Sequence, residues 1–322
     1  MSKSRRNALV ATLVVLTLGG AVWWWFSSGP DIPTPELSKL SKGARALIQK
    51  AQDEVKEHPK SALAWGALGM ALMAHELRDD ALPSLKQAEA LSTQESKWPY
   101  LQALIHLQKG ETDLALTLLQ RAVEKPVHAS DAPHLRLARF YLETGQNDRA
   151  AKEYLKLIQN EVSHPRAILG LARARAEEDV DEAIELLKNC QESRYAQKEA
   201  HQLLAELLFR KGEKEDAKEA QSKAEALRED IAWPDPIQEE LENMKSSLHH
   251  LTREYQRLMS IGDGSGAQEV LRKAEQTYPE LYWLVEGRMA LQKGDAVRAE
   301  SAFRKGIESN PAYVENRNAL AL

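Results

Sequence analysis

The chain has 322 residues, a formal net charge of −5 and one cysteine, Cys190. That balance supplies no global basic field to draw in nucleic acid, and a lone cysteine excludes an internal disulfide and every CxxC metal or redox motif. Aromatic residues make up only 6%, and Ala, Leu, Glu, Lys and Gln dominate, which is a helix-forming alphabet.

Residues 1–7 form a basic N-terminus with Lys3, Arg5 and Arg6. Residues 8–26, ALVATLVVLTLGGAVWWWF, carry no charge. Nineteen helical residues rise about 28 Å, close to the roughly 30 Å of a bilayer core, so the segment reads as a transmembrane signal anchor. The first charges after it are Asp31 and Glu36. The positive-inside bias then puts the N-terminus in the cytoplasm and the body on the periplasmic side of an inner (plasma) membrane. Trp23, Trp24 and Trp25 mark the outer interface, because an indole joins an apolar body to one N–H donor. A cleaved signal peptide is the competing reading. Its apolar run is shorter, about 7–15 residues, and cleavage after Ala21 leaves a mature chain that starts VWWWF.

Residues 27–43, SSGPDIPTPELSKLSKG, carry Pro30, Pro33 and Pro35 among small polar residues and read as an extended, semi-stiff spacer that holds the body off the membrane. From Ala44 onward there is no period-2 alternation, only apolar residues at helical spacing broken by Gly, Asp or Pro. The breaks recur. QKGETDLAL at 108–116 returns as QKGDAVRAE at 292–300, with variants ETGQNDRAA at 143–151 and RKGEKEDAK at 210–218. In each, alanine follows glycine by five residues: Gly110 and Ala115, Gly145 and Ala150, Gly212 and Ala217, Gly294 and Ala299, with Gly262 and Ala267 as a fifth pair. Glycine closes one helix with a left-handed turn and alanine lets the next helix approach its neighbour, so the unit is a helical hairpin.

These units resemble the tetratricopeptide repeat, a helix-turn-helix module of 34 residues. The resemblance runs through 62–95 with Trp65, Leu68 and Gly69, then 96–129, 131–164 with Tyr141 and Tyr154, 164–197 with a glycine-free EEDVD turn, 198–231, 248–279 with Pro279, and 280–313 with Trp283, Phe303 and Pro311. It implies an all-α solenoid of about seven repeats plus a terminal helix, preceded by one transmembrane helix. The segment at 232–236, with Pro234 and Pro236, breaks the helical pattern. It divides the array into a block at 44–231 and a block at 237–322, the second opening with one long helix from Ile237 to Met259. After Pro311 the sequence AYVENRNALAL gives a single helix. Either it packs on the seventh repeat, or the chain is a shortened gene product.

Catalytic constellations are not evident. GDGSG at 262–266 lacks the Lys-Ser/Thr of a phosphate loop and falls at a repeat turn. His249 and His250 are adjacent, so a helix turns them about 100° apart, whereas paired metal ligands want i and i+4. His58 and His164 precede prolines at repeat junctions and read as solvent-facing, and Cys190 reads as a buried structural thiol. The sequence therefore suggests no enzyme, no cofactor, no metal and no small-molecule substrate.

A repeat solenoid of this kind implies a continuous concave surface lined by the first helix of each unit. Carried onto it, the family's groove positions are Leu63, Gly66, Met70 and Met73 in the first repeat, and Tyr100, Leu104 and Leu107 in the second with Trp98 nearby. They form an apolar, methionine-bearing strip adaptable to a peptide, or bury against a neighbouring helix. Arg136 and Arg139 lie at i and i+3, on one face of a helix, and Arg173 and Arg175 follow on the corresponding helix of the next unit. They read either as a carboxylate-holding groove or as a solvated basic face. The lysine and asparagine clamp of chaperone-tail binders is absent, since Gly66 and Met70 stand in its place. The functional reading is a membrane-anchored scaffold or adaptor that binds partner proteins or peptides, in cell-envelope assembly or protein complex biogenesis. The alternative is a docking subunit, or the shortened front part, of an enzyme system such as cytochrome maturation.

Overall fold

The structure, a computed structural model, describes residues 30–320 apart from 41, 127–129, 161–163, 191, 246 and 312. The expected membrane segment with Trp23, Trp24 and Trp25 lies outside the described residues. No described helix is long and apolar enough to cross a membrane.

Among the described residues every regular element is an α-helix. The first is α1 (Lys42–Glu57). Five hairpins follow: α2 (Ala62–Ala74) with α3 (Arg78–Leu91), α4 (Lys97–Gln108) with α5 (Thr112–Val123), α6 (Ala132–Glu143) with α7 (Asn147–Asn160), α8 (Pro165–Arg175) with α9 (Val180–Lys188), and α10 (Gln197–Lys211) with α11 (Lys214–Ala226). Then comes α12 (Pro236–Lys245), followed by two more hairpins, α13 (Ser247–Ser260) with α14 (Gly264–Thr277) and α15 (Pro279–Gln292) with α16 (Ala296–Ser309). The last helix, α17 (Val314–Leu320), packs on α15 and α16.

Helices of two kinds alternate. α2 reads ALAWGALGMALMA, apolar all round, and is buried on nearly every side, between α1, α3 and α12. A helix without a polar face has to be sandwiched. Ser61 starts it by accepting the Ala64 N–H at 3.2 Å on its hydroxyl, and the Trp65 indole N–H donates to the Pro59 carbonyl at 2.9 Å. The second helices, such as α7 with Ala150, Ala151 and Tyr154 inward and Asp148 and Lys152 outward, bury one face only.

The glycines at 110, 145, 212, 262 and 294 all have φ between 71° and 87°, the left-handed turn that ends a first helix. In the fourth repeat, which lacks that glycine, the Asp179 side chain accepts the Glu182 N–H at 2.9 Å and caps α9 instead. The GDGSG stretch is such a turn, with Asp263 capping α14.

Three features position the two blocks. Residues 30–40 do not stand free: Ile32, Leu37 and Leu40 are partly buried against the first core cluster, and Gln52 donates to the Pro33 carbonyl at 2.7 Å. Three aliphatics in eleven residues give this stretch something to bury. The expected long helix from Ile237 to Met259 is described as Pro236–Lys245 and Ser247–Ser260, residue 246 lying outside the described residues, and its halves serve different cores: Ile237 and Leu241 join the first cluster, Tyr255 and Leu258 a separate one. The second block also returns to the start of the first, where the Tyr278 ring lies so close to Gly43 that a Cβ there would sit 2.1 Å from it.

The terminal helix is packed. Asn316 is fully buried and donates to the Glu280 carbonyl at 2.7 Å.

Candidate functional site in the concave groove

The first helices α2, α4, α6, α8 and α10 line one concave face, and residues 232–245 lie across it. Trp233 enters first. Its ring stacks on His164 with centroids 4.2 Å apart, and its edge meets Tyr195 at 5.0 Å. Its indole N–H donates to Asp131 Oδ2 at 3.0 Å, the same oxygen that lies 2.8 Å from His164 Nε2. His164 Nδ1 accepts the Ala167 N–H at 3.2 Å and so caps α8. With Nδ1 an acceptor, Nε2 carries the proton and donates to Asp131. His164 is 1% exposed, so it is a buried cap and not the solvent-facing residue expected from its position before Pro165. Burial works to raise the Asp131 carboxyl, but the donors on His164 and Trp233 outweigh it and hold the group below its ordinary range.

Asp235 comes next and has two roles. Its Oδ1 accepts the N–H groups of Ile237 at 3.1 Å and Gln238 at 3.0 Å, which starts α12, and Pro236 suits the first helical turn. Its Oδ2 accepts the Tyr100 hydroxyl at 2.5 Å. Burial and the Asp235 charge together push the Tyr100 hydroxyl far above its usual range. Along α12, Ile237 and Leu241 are buried and Met244 partly so, at i, i+4 and i+7 on one face. That side packs on α2. At the rim Lys97 pairs with Glu240 at 2.6 Å.

The apolar strip is thereby placed. Met70, Met73, Tyr100 and Leu104 are all buried, in the same cluster as Ile237 and Leu241, while Leu63 is 70% exposed.

Beyond the strap the groove is open. A pocket of about 440 Å³ lies between repeats three and four, walled by Leu135, Leu142 and Leu169, floored by Tyr154 and Gly170, and rimmed by residues 232–235. Burial pushes the Tyr154 hydroxyl up to about 12, against the pull of Arg173 and Arg139. Arg136, Arg139, Arg166 and Arg173 line the pocket with Glu143, Glu199 and Asp235, leaving one positive charge in excess. Arg166 and Arg173 share Glu199 at 2.6 and 2.7 Å, and Arg139 pairs with Glu143 at 2.6 Å. Burial tends to raise the Glu199 carboxyl, but the two guanidiniums lower it further. Arg136 lies beside Tyr100 and makes no ion pair among the described residues. Arg175 is not part of this set; it pairs with Glu178 at 2.8 Å on the far side of its helix.

Three of the four arginines expected in the groove thus meet at one pocket. Arg166, Glu199, Trp233, Asp131 and His164 were missed by the sequence reading. The 33-residue step from Arg166 to Glu199, one repeat, was the signal available for that pair.

Elsewhere, Cys190 is 1% exposed and burial pushes its thiol up to about 12, the state of an inert packing residue. Glu54, Glu57 and His58 converge at the C-terminal end of α1, exposed to water.

Stacked helical hairpins with an open concave face define a repeat solenoid built for protein interaction. A tetratricopeptide repeat model matches residues 67–133, 135–188 and 254–314, and a second such model matches 198–231. The matches cover more than half of the chain, which belongs to the tetratricopeptide repeat family; they leave 232–253 between them. No curated protein matches it. Among solved structures it is similar to YrrB, a repeat protein with an unusual peptide-binding site, at 16% identity and TM-score 0.49 over 55% of this chain and 91% of that one. It is similar to MamA from Desulfovibrio magneticus RS-1 at 16% identity and TM-score 0.42, over 58% and 96%. The pilF protein of Pseudomonas aeruginosa matches at 15% identity and TM-score 0.43, over 72% and 94%.

Proposed function

We propose that the chain is a membrane-anchored scaffold that holds partner proteins through its groove, the pocket of repeats three and four receiving a carboxylate-bearing segment. The observation that carries this reading is Arg136, free of any ion pair among the described residues, beside Arg139 and Arg173 around an open pocket of about 440 Å³. Guanidiniums hold carboxylates through paired N–H donors, and the leucine walls suit an extended segment with alternating apolar residues. The protein acts by holding, not by chemistry: Arg139, Arg166 and Arg173 are paired with Glu143 and Glu199, Asp235 accepts the Tyr100 hydroxyl, and Arg136 is left for a ligand.

In this reading residues 8–26 are the anchor, Trp23, Trp24 and Trp25 sit at the outer interface, the N-terminus is cytoplasmic and the repeat body is periplasmic. The role is in cell-envelope assembly or the biogenesis of a protein complex. A photo-reactive residue at Leu135, used on the anchored protein in its native membrane, tests the pocket. Captured chains are expected to disappear when Arg136→Glu and Arg139→Glu are introduced together. An unchanged set removes the arginine pocket from the account. Protease added to spheroplasts tests the topology, since an outward body is digested and an inward one is protected.

A further inference from the structure

The strap and α12 are part of no repeat. Each of α2 to α11 is paired in a hairpin, and so is each of α13 to α16, whereas α12 packs on α2, a helix more than 160 residues earlier. The repeats under it are complete without it. The segment also carries its own stop and start: Pro234 and Pro236 keep it from continuing α11, and Asp235 caps it internally. Its front boundary is therefore built in, while behind it α13 begins at Ser247.

What it presents to the groove is a ligand's pattern. An aromatic ring enters between repeats three and four, an Asp-Pro turn meets the Tyr100 hydroxyl, and a short helix with aliphatics at i, i+4 and i+7 packs on α2 and joins the core cluster that holds the apolar strip. Helices that dock in grooves are read by such anchors. Its outer face, with Glu239, Glu240 and Glu242, is acidic, and Glu240 meets Lys97 at the rim. Every polar contact between the segment and the groove described above is made through side chains, so a foreign chain with the same side chains reproduces it.

We propose that residues 232–245 are a built-in, displaceable occupant of the groove of repeats one to four. They stand in for a partner segment made of an aromatic-Pro-Asp-Pro turn followed by an acidic helix with large aliphatic residues at i, i+4 and i+7. This surface borders the arginine pocket, whose rim residues 232–235 supply, but the proposal does not rest on what that pocket binds. A partner of that chemistry displaces the segment, and the uncovered groove is apolar, methionine-bearing and adaptable.

The test uses the 322-residue chain and a labelled peptide of residues 231–245. Ile237→Asp with Leu241→Asp expels α12 by burying charge, and this variant is expected to bind the peptide saturably, at least tenfold more tightly than the unaltered chain does. A peptide carrying the same two aspartates does not bind. A variant that keeps its helical circular dichroism yet takes up no peptide overturns the proposal. Hydrogen exchange on the unaltered chain gives a second reading that no misfolded variant can obscure. The amides of α12 are expected to exchange at least tenfold faster than those of α2 and α4, and equal protection overturns displaceability. Light scattering that shows a dimer joined through exchanged copies of the segment also overturns it, because the occupant would then be a second chain.

Discussion

Repeats one and two differ from repeats three and four in what their concave sides face. The first pair presents Met70, Met73 and Leu104, all buried in the core cluster that Ile237 and Leu241 of α12 join; the second presents Arg136, Arg139 and Arg173 to an open pocket. One scaffold geometry thus carries two surfaces of different chemistry, and side chains on the first helices alone decide whether the groove closes on an apolar helix or stays wet. The lesson is that in a solenoid the backbone supplies curvature, while occupancy is written in a few positions per repeat.

The contrast can be broken most severely in its buried half. Trp98→Ala, at a residue 1% exposed, is expected to cost about 3–5 kcal/mol by urea unfolding, whereas Arg139→Ala, with its side chain 64% exposed, stays within about 0.5 kcal/mol. Equal losses would mean that the two halves do not differ in packing. The open half still rests on a packed floor: a Cβ at Gly170 would lie 2.2 Å from the Tyr154 ring, so Gly170→Ala should cost about 1–3 kcal/mol in the same measurement. A neutral result would show that the ring moves aside freely.

Trp233→Ala removes the stack on His164 and one hydrogen bond to Asp131, a loss of about 1–2 kcal/mol. It is expected to fall on the strap and α12 in hydrogen exchange and to leave α2 and α4 unchanged. The smallest effect is a pH dependence. Since the Asp131 carboxyl is held below its unfolded value, its contribution is full above that value, near 4, and disappears as pH falls through the folded one. The difference in urea midpoint between the unaltered chain and Asp131→Asn should therefore shrink from pH 6 to pH 3. A constant difference would mean that the carboxylate charge is not what the shared contact uses.

Much of this architecture was legible beforehand because its signals are local. Gly110 and Ala115 mark a turn and a close approach within six residues, and Arg136 and Arg139 share a face by helical spacing alone. Arg175 follows Arg173 by two residues, which turns it about 200° around the helix and away from the pocket. The strap was not legible in the same way. Pro234 and Pro236 say where a helix stops but not where the chain goes next, and the partners of Trp233 and Asp235 lie 102 and 135 residues away. His164 illustrates the same limit, because its cap on α8 is local while its burial depends on Asp131 and Trp233.

The ring of Tyr278 against Gly43 has a mechanical consequence. Open solenoids stretch like springs, each unit yielding a little as its ends are drawn apart. Here a clasp joins the first helix to the sixth repeat, so drawing the two blocks apart loads that aromatic contact together with the packing of α12 on α2.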